Sequence, residues 1–211
     1  MNATEIITKF EQYVDDSSEL STAEELALLN KIYHKVCDDR PWEFLKKEAS
    51  GTMATTTTIT LPTDFGYLLD NYNYTDNSTS INNNARPVMI FINNNPIQVV
   101  NWSDRRQYAT SSAYCYLNLS NSTITFPVAQ TSSATYSFDY IYIPTDLVGG
   151  GSPTSPVFPA RFHDILYHGM AVDDMICQLF DKARSYAVEN QLKYNDYLKS
   201  MAYWNSQLQM N

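Results

Sequence analysis

The stretch PARFHDILYHGMAVDDMICQLFDKARSYAVENQLKYNDYLKSMAYWNSQL, residues 159–208, decides how this chain folds. Phe162, Ile165, Leu166, Val172, Ile176, Leu179 and Phe180 recur at three- and four-residue steps, and Tyr194, Tyr197, Leu198, Met201, Trp204 and Leu208 do so again. That period belongs to amphipathic helices that bury one stripe and wet the other. One unbroken helix would run to about 75 Å, too long for a domain of this size. The pattern therefore predicts a break at Asp181–Ser185 and two helices. Their apolar stripe needs a partner, and the other strongly helical segment lies at the opposite end of the chain. Helices from both termini are thus expected to form one bundle, with the middle of the chain inserted between them.

The N-terminal end fits this scheme. Ile6, Ile7, Phe10, Tyr13 and Val14 give one face of a first helix over residues 3–15. Ser21 and Glu24 stand at capping-box spacing, opening a second helix whose core face is Leu26, Leu29, Ile32, Tyr33 and Val36. Pro41 ends it, because proline disfavours helical geometry in the residue before it. Trp42, Phe44 and Leu45 are placed to plug the junction with whatever follows.

From Gly51 the composition changes. ATTTTITL (54–61) is β-branched almost throughout, which favours a pleated strand. Leu61–Phe65 is a turn, and the Asn-rich stretch 71–85 reads as a long exposed loop. PVMIFI (87–92) and PIQVVNW (96–102) read as strands joined across Asn93–Asn95. AYCYLNL (113–119) and STITFPV (122–128) read as a hairpin, and ATYSFDYIYI (134–143) as a long strand with one aromatic face. The fold class expected is α+β: a helical bundle of N- and C-terminal helices (1–50 and 159–211) carrying an inserted antiparallel β-sandwich or barrel (51–147). Residues 148–158 are a linker, with Gly149, Gly150 and Gly151 as its hinge.

Charge narrows the function. The chain carries 23 acids against 14 bases, a net charge of −9. Residues 1–50 hold 11 acids and 6 bases, whereas residues 51–159 hold 6 and 3. A chain with this balance and no basic stripe repels a nucleic-acid backbone. No apolar run approaches the length of a membrane span, and the N-terminal residues lack the apolar core of a signal peptide. Cys37, Cys115 and Cys177 are odd in number and far apart, so a reducing compartment is expected and no disulfide framework. The Asn-X-Ser/Thr matches at Asn73, Asn77, Asn101, Asn118 and Asn121 then follow from composition alone.

Catalytic and metal chemistry find little footing. His34 and Cys37 share a helix face and His163 sits on another, short of the paired spacings of a structural zinc site. His163 and Asp174 are three turns apart along a helix, too far for a hydrogen bond. No nucleophile elbow or phosphate-binding fingerprint occurs, and Gly149–Gly151 lacks the Lys-Ser/Thr that a phosphate loop requires. The expectation is a protein without catalytic residues, metal or cofactor. The aromatic strand 136–142 and Tyr203–Trp204 admit core, interface or sugar-binding roles, in that order.

The order of parts carries a resemblance. It comprises Arg40-Pro41-Trp42-Glu43-Phe44-Leu45, Leu61-Pro62-Thr63-Asp64-Phe65, Ile124-Thr125-Phe126, Pro144 with Leu147, and Phe158-Pro159-Ala160-Arg161-Phe162-His163, closed by a helical C-terminus. Over nearly its whole length the chain resembles the head-to-tail adaptor (connector) proteins of tailed bacteriophages, including the tail tubular protein A type. The resemblance implies a virion protein at the head–tail junction, made and assembled in the host cytoplasm. Its partners would be the portal protein, a tail protein (nozzle or next ring) and copies of itself in a ring, commonly a dodecamer. Genomic DNA would pass through without specific binding. The residues expected to serve partner or subunit contacts are Tyr194, Tyr197, Met201, Tyr203, Trp204, Tyr136 and Tyr140. The competing expectation is a carbohydrate- or receptor-binding module presenting Tyr114, Tyr116, Tyr136 and Tyr140 to a glycan.

Overall fold

The computed structural model describes residues 1–15, 19–69 and 88–208. The Asn-rich stretch 71–85 and Met210 lie outside the described residues. The chain is α+β and forms two compact units, Met1–Leu45 with Pro144–Asn211, and Lys46–Ile143. Lys46–Ser50, read above with the N-terminal helices, therefore belong to the second unit.

The first unit is built from α1 (Ala3–Val14), α2 (Thr22–Cys37), α3 (Asp164–Ala171), α4 (Asp174–Leu179), α5 (Asp181–Ser185) and α6 (Ala187–Leu208). Capping boxes open both N-terminal helices: Asn2 with Glu5, and Ser21 with Glu24, each pair exchanging side-chain and backbone hydrogen bonds. Leu28 takes the buried place expected of Leu26, beside Leu29, Ile32, Tyr33 and Val36. The C-terminal stretch breaks more often than its periodicity predicts. Asp173 caps α4 by accepting a hydrogen bond from Met175 N, and Phe180 adopts extended backbone (φ −115°, ψ 119°) between α4 and α5. The residues Asp181–Ser185, expected to break the helix, form α5 itself, and the breaks flank them.

Helix α3 lies against α1, α2 and α6. Its Ile165, Leu166, Met170 and Ala171 are wholly buried. Gly169 sits where two neighbours converge: a Cβ there would lie 2.5 Å from Ile32 Cγ2 of α2 and 3.0 Å from the Tyr194 ring of α6. Trp42 is fully buried and donates its indole N–H to Val36 O at 2.8 Å. It stacks on Phe44, which stacks in turn on Trp204 and touches Phe158. Trp42 and Phe44 are thus core of the helical unit. Polar ties join the same distant segments: Asn205 Oδ1 accepts from Glu43 N at 2.7 Å, and the Asn30 amide both donates to Leu147 O and accepts from Leu147 N.

The second unit is one sheet. Its strands among the described residues are β1 (Lys46–Thr52), β2 (Thr58–Thr60), β3 (Phe65–Leu68), β4 (Met89–Ile92), β5 (Asn95–Val100), β6 (Tyr114–Asn118), β7 (Thr123–Thr125) and β8 (Thr135–Tyr142). They run in the order β1-β8-β4-β5-β6-β7-β2, with β3 pairing the end of β8 that β4 leaves open. The expected antiparallel sandwich or barrel is replaced by a mixed sheet, because β5 and β6 pair in parallel (Gln98↔Tyr114 to Val100↔Tyr116). Residues 101–113 return the chain to the starting edge, a crossover that a tight hairpin cannot make. The β4–β5 hairpin turns on Asn93 and Asn94, both at positive φ (48° and 64°), as the mirror-image two-residue turn demands.

Only part of ATTTTITL is strand. Thr55 Oγ1 accepts from Thr58 N and donates to Thr58 O, both at 3.1 Å, and this local loop holds residues 54–57 out of the ladder. On β8 the expected aromatic face is present and points inward: Phe138 and Tyr140 are buried, and Tyr136 and Tyr142 pack on the same core. Gly51 on β1 lies under the Tyr136 ring, where a Cβ would stand 3.1 Å from the hydroxyl.

The Gly169→Ala variant tests the helix packing. Alanine gains roughly 1 kcal/mol in helix propensity over glycine, but overpacking against Ile32 and Tyr194 costs about 1–3 kcal/mol. A net fall in the urea midpoint is expected, and the fall caused by Gly169→Ala is expected to be smaller when it is measured in an Ile32→Ala background. An increase in stability on Gly169→Ala alone would show that the helices are not in close approach.

Candidate interaction surface

Helix α6 carries most of the residues expected to meet a partner, and its two faces are clearly divided. Asn190, Tyr194, Met201 and Asn205 are buried, at helical spacing on one side. Tyr197 is half-buried, its hydroxyl 3.5 Å from Asp164. Trp204 is also half-buried, held between Phe44 and Phe162 with the Arg161 guanidinium 5.3 Å from its ring. Of the five α6 residues expected at an interface, Tyr194 and Met201 are buried in the helical unit and Trp204 is half-buried against it. Tyr203 alone faces outward, 70% exposed.

The outer face of α6 holds two residues that periodicity alone missed, Val188 (77% exposed) and Leu192 (59%). At 100° per residue, Val188, Leu192 and Tyr203 fall opposite the stripe of Asn190, Tyr194 and Met201. The signal for them was present in the sequence as apolar residues out of phase with the dominant stripe. Tyr140 is buried in the sheet core and donates to Asp64 Oδ1 at 2.9 Å, and Tyr136 is half-buried against Phe138. Neither stands free for a partner, and a glycan face made of Tyr114, Tyr116, Tyr136 and Tyr140 is divided between the two sides of the sheet.

Gly149, Gly150 and Gly151 lie in a turn of the helical unit. Gly150 has φ +80°, and the turn is closed by Thr154 N donating to Val148 O at 2.9 Å and Val148 N donating to Thr154 Oγ1 at 2.8 Å. Thr154 O then accepts from Ala3 N of α1. The chain passes between units at Leu45–Lys46 and Ile143–Pro144, upstream of these glycines.

The short motifs turn out to be packing devices. Asp64 accepts from Lys47 Nζ at 2.6 Å and from Tyr140, and the lysine holds its carboxyl below the usual range. Burial and the Asp64 carboxylate push Tyr140 up to about 12. Ile124 and Phe126 fill the sheet core, while Phe158 and Phe162 fill the helical one. Burial pushes the Cys37 thiol up to about 12 and raises Cys115 and Cys177 too. Among the described residues, no group of three or more His, Cys, Asp or Glu is arranged to hold a metal ion, and no helix is long and apolar enough to cross a membrane.

His168 is buried among other titratable groups. It is 3% exposed, and its Nδ1 lies 3.0 Å from Asn190 Oδ1. Around it stand Tyr13 of α1, Tyr167 of α3 and Tyr197 of α6, with Lys9, Asp164 and Lys193 exerting charge on it. Burial drives the imidazole below its ordinary value, against the Asn190 hydrogen bond, which favours the charged form.

The model of the SU10 adaptor protein family matches residues 1–210. No curated protein matches the chain.

The depressed His168 value has a consequence for acid stability. A histidine held neutral in the fold takes up more protons when unfolded, so its contribution is complete above about pH 6.5 and falls as pH drops below that value. Denaturation midpoints are expected to decline from pH 7 to pH 5 in the native chain and to decline less in His168→Gln. An equal decline in both would remove His168 as the cause.

Proposed function

The chain belongs to the SU10 adaptor protein family, a family of structural phage head-to-tail adaptors, and on that footing we propose that it assembles as a ring between the portal and the tail. The observation that carries this reading is the family match across essentially the entire chain, both units included. In the ring, a dodecamer, each copy meets the portal on one side and a nozzle or further ring protein on the other. The net charge of −9 suits a channel wall along which DNA slides without sticking. The role is structural rather than enzymatic, exercised in the virion after assembly in the host cytoplasm.

The docking element on this reading is the outer face of α6, with Val188, Leu192 and Tyr203, rather than the buried Tyr194 and Met201. Many such contacts, each weak, act together once the portal offers a repeated template. Reorientation of the sheet unit during assembly would use the two crossings at Leu45–Lys46 and Ile143–Pro144.

Truncation at Tyr203 is a poor probe, since it would also remove Trp204 and Asn205 from the core. The better variant is Leu192→Asp with Tyr203→Ser, both exposed positions. Pull-down from infected cells with the tagged native chain is expected to recover portal and tail proteins in stoichiometric amount. The double variant is expected to melt at the native temperature and to recover at least about tenfold less portal, corresponding to the loss of roughly 1.4 kcal/mol of binding. Undiminished recovery would exclude this face as the docking element.

A further inference from the structure

The side of the sheet facing away from its core carries two charged surfaces of opposite sign. Ala49, Phe138 and Cys115 pack in that core, so alternation sends Glu48 of β1, Asp139 of β8 and Tyr116 of β6 to the other side. Glu48 stands directly opposite Asp139 in the β1–β8 register. Met53 N donates to Ala134 O at 2.9 Å, and bonded and non-bonded pairs alternate along an antiparallel ladder. Glu48 and Asp139 are therefore a non-bonded pair, the kind whose side chains lie closest. Both are exposed, and like charges placed directly opposite destabilise a sheet. Among the described residues neither carboxylate has an ion-pair partner, since Lys47 beside Glu48 is committed to Asp64. Strand β1 also ends the strand order of the sheet, which leaves this pair at an edge that another molecule can approach.

The opposite charge stands on the crossover 101–113. Arg105 lies over the Trp102 indole, its guanidinium 4.0 Å from the ring centre and its Nη1 donating to Trp102 O at 2.6 Å. Arg106 beside it is exposed, and among the described residues neither arginine pairs with a carboxylate. Trp102, 46% exposed, meets Tyr116 edge-on with ring centres 5.2 Å apart. Exposed Trp, Tyr and Arg are the residues that concentrate binding energy in protein interfaces. Three steps of the strand order separate β8 from β6, roughly 14 Å at the usual spacing, and the two surfaces do not pair within one copy. We propose that Trp102, Arg105 and Arg106 of one copy dock on the Glu48–Asp139 pair of a second copy. Charge complementarity identifies the occupant: two cations without a carboxylate on one surface meet two carboxylates without a cation on the other. The two surfaces differ, so the contact is head-to-tail and passes from copy to copy, as ring closure requires. The proposal rests on the ring assembly given above, in which every copy has a neighbour. An exposed ion pair contributes little alone, and the contact gains strength from repetition around the ring.

The test places p-benzoylphenylalanine at Gln107, an exposed position beside Arg106, and reciprocally at Ser50, an exposed position on β1, so that either variant can answer should the other fold poorly. The full chain is irradiated free at high concentration and again on portal-bearing heads, and adducts are mapped by mass spectrometry. From Gln107, chain-to-chain adducts are expected within residues 46–52 or 135–142, and from Ser50 within residues 101–116. Glu48→Lys with Asp139→Lys is expected to reduce them about tenfold, adding Arg105→Glu with Arg106→Glu to restore them, and salt to weaken them. Adducts only to another protein, to nucleic acid or to glycan would overturn the proposal, as would chain-to-chain adducts mapping elsewhere, no adduct in either setting, or a charge swap that restores nothing. Failure of the adaptor reading is distinguishable: the native chain would then not bind portal-bearing heads, and the adducts of the free chain would still decide the contact.

Discussion

The close approach of three helices at Gly169 is the constraint on which the rest of the structure depends. Helix α3 can touch both α2 and α6 there only because that position carries no side chain; an added Cβ would stand 2.5 Å from Ile32. That contact brings residues near both ends of the chain into one core. It is reinforced by the aromatic series from Trp42 through Phe44 to Trp204, and by the Asn205–Glu43 hydrogen bond. With both ends of the sequence committed to one unit, the middle can fold as a separate sheet without supplying anything to the helical core.

This division explains where the most recognisable short motifs pack. Trp42 is core with Phe44 stacked on it, Phe158 and Phe162 line the same aromatic series, and Asp64 ties Lys47 to Tyr140 in the sheet unit. They hold two units in shape. On the proposed adaptor reading, partner contacts would fall to what those cores leave outside, such as the outer face of α6 with Val188, Leu192 and Tyr203.

The helical unit was legible because burial there follows a single period. Asn2, Ser21 and Asp173 each cap a helix, and of these Ser21 was readable from its spacing to Glu24. The extra breaks were not, since Asp173 reads equally well as a solvated helix residue until its carboxylate turns to Met175 N. In the sheet, the hairpins and the aromatic face of β8 were readable from alternation and from the asparagines at 93–94. Strand β1 was not: Lys-Lys-Glu-Ala-Ser-Gly has weak strand preference, and it is strand because β8 supplies a full-length partner. The parallel pairing of β5 with β6 was equally hidden, as it depends on where residues 101–113 lead. Burial of the candidate interface residues was not legible, because an aromatic side chain at helical spacing looks the same whether it faces the core, as Tyr194 does, or solvent, as Tyr203 does.

The central claim is that this chain forms the ring joining head to tail. Electron cryomicroscopy of the assembled virion, focused on the head–tail junction, tests it most directly. The account predicts a closed ring of copies of this chain between portal and tail, with helices from both termini in one body of each copy. A junction whose density is fully assigned to other proteins, with this chain absent from it, would contradict the account.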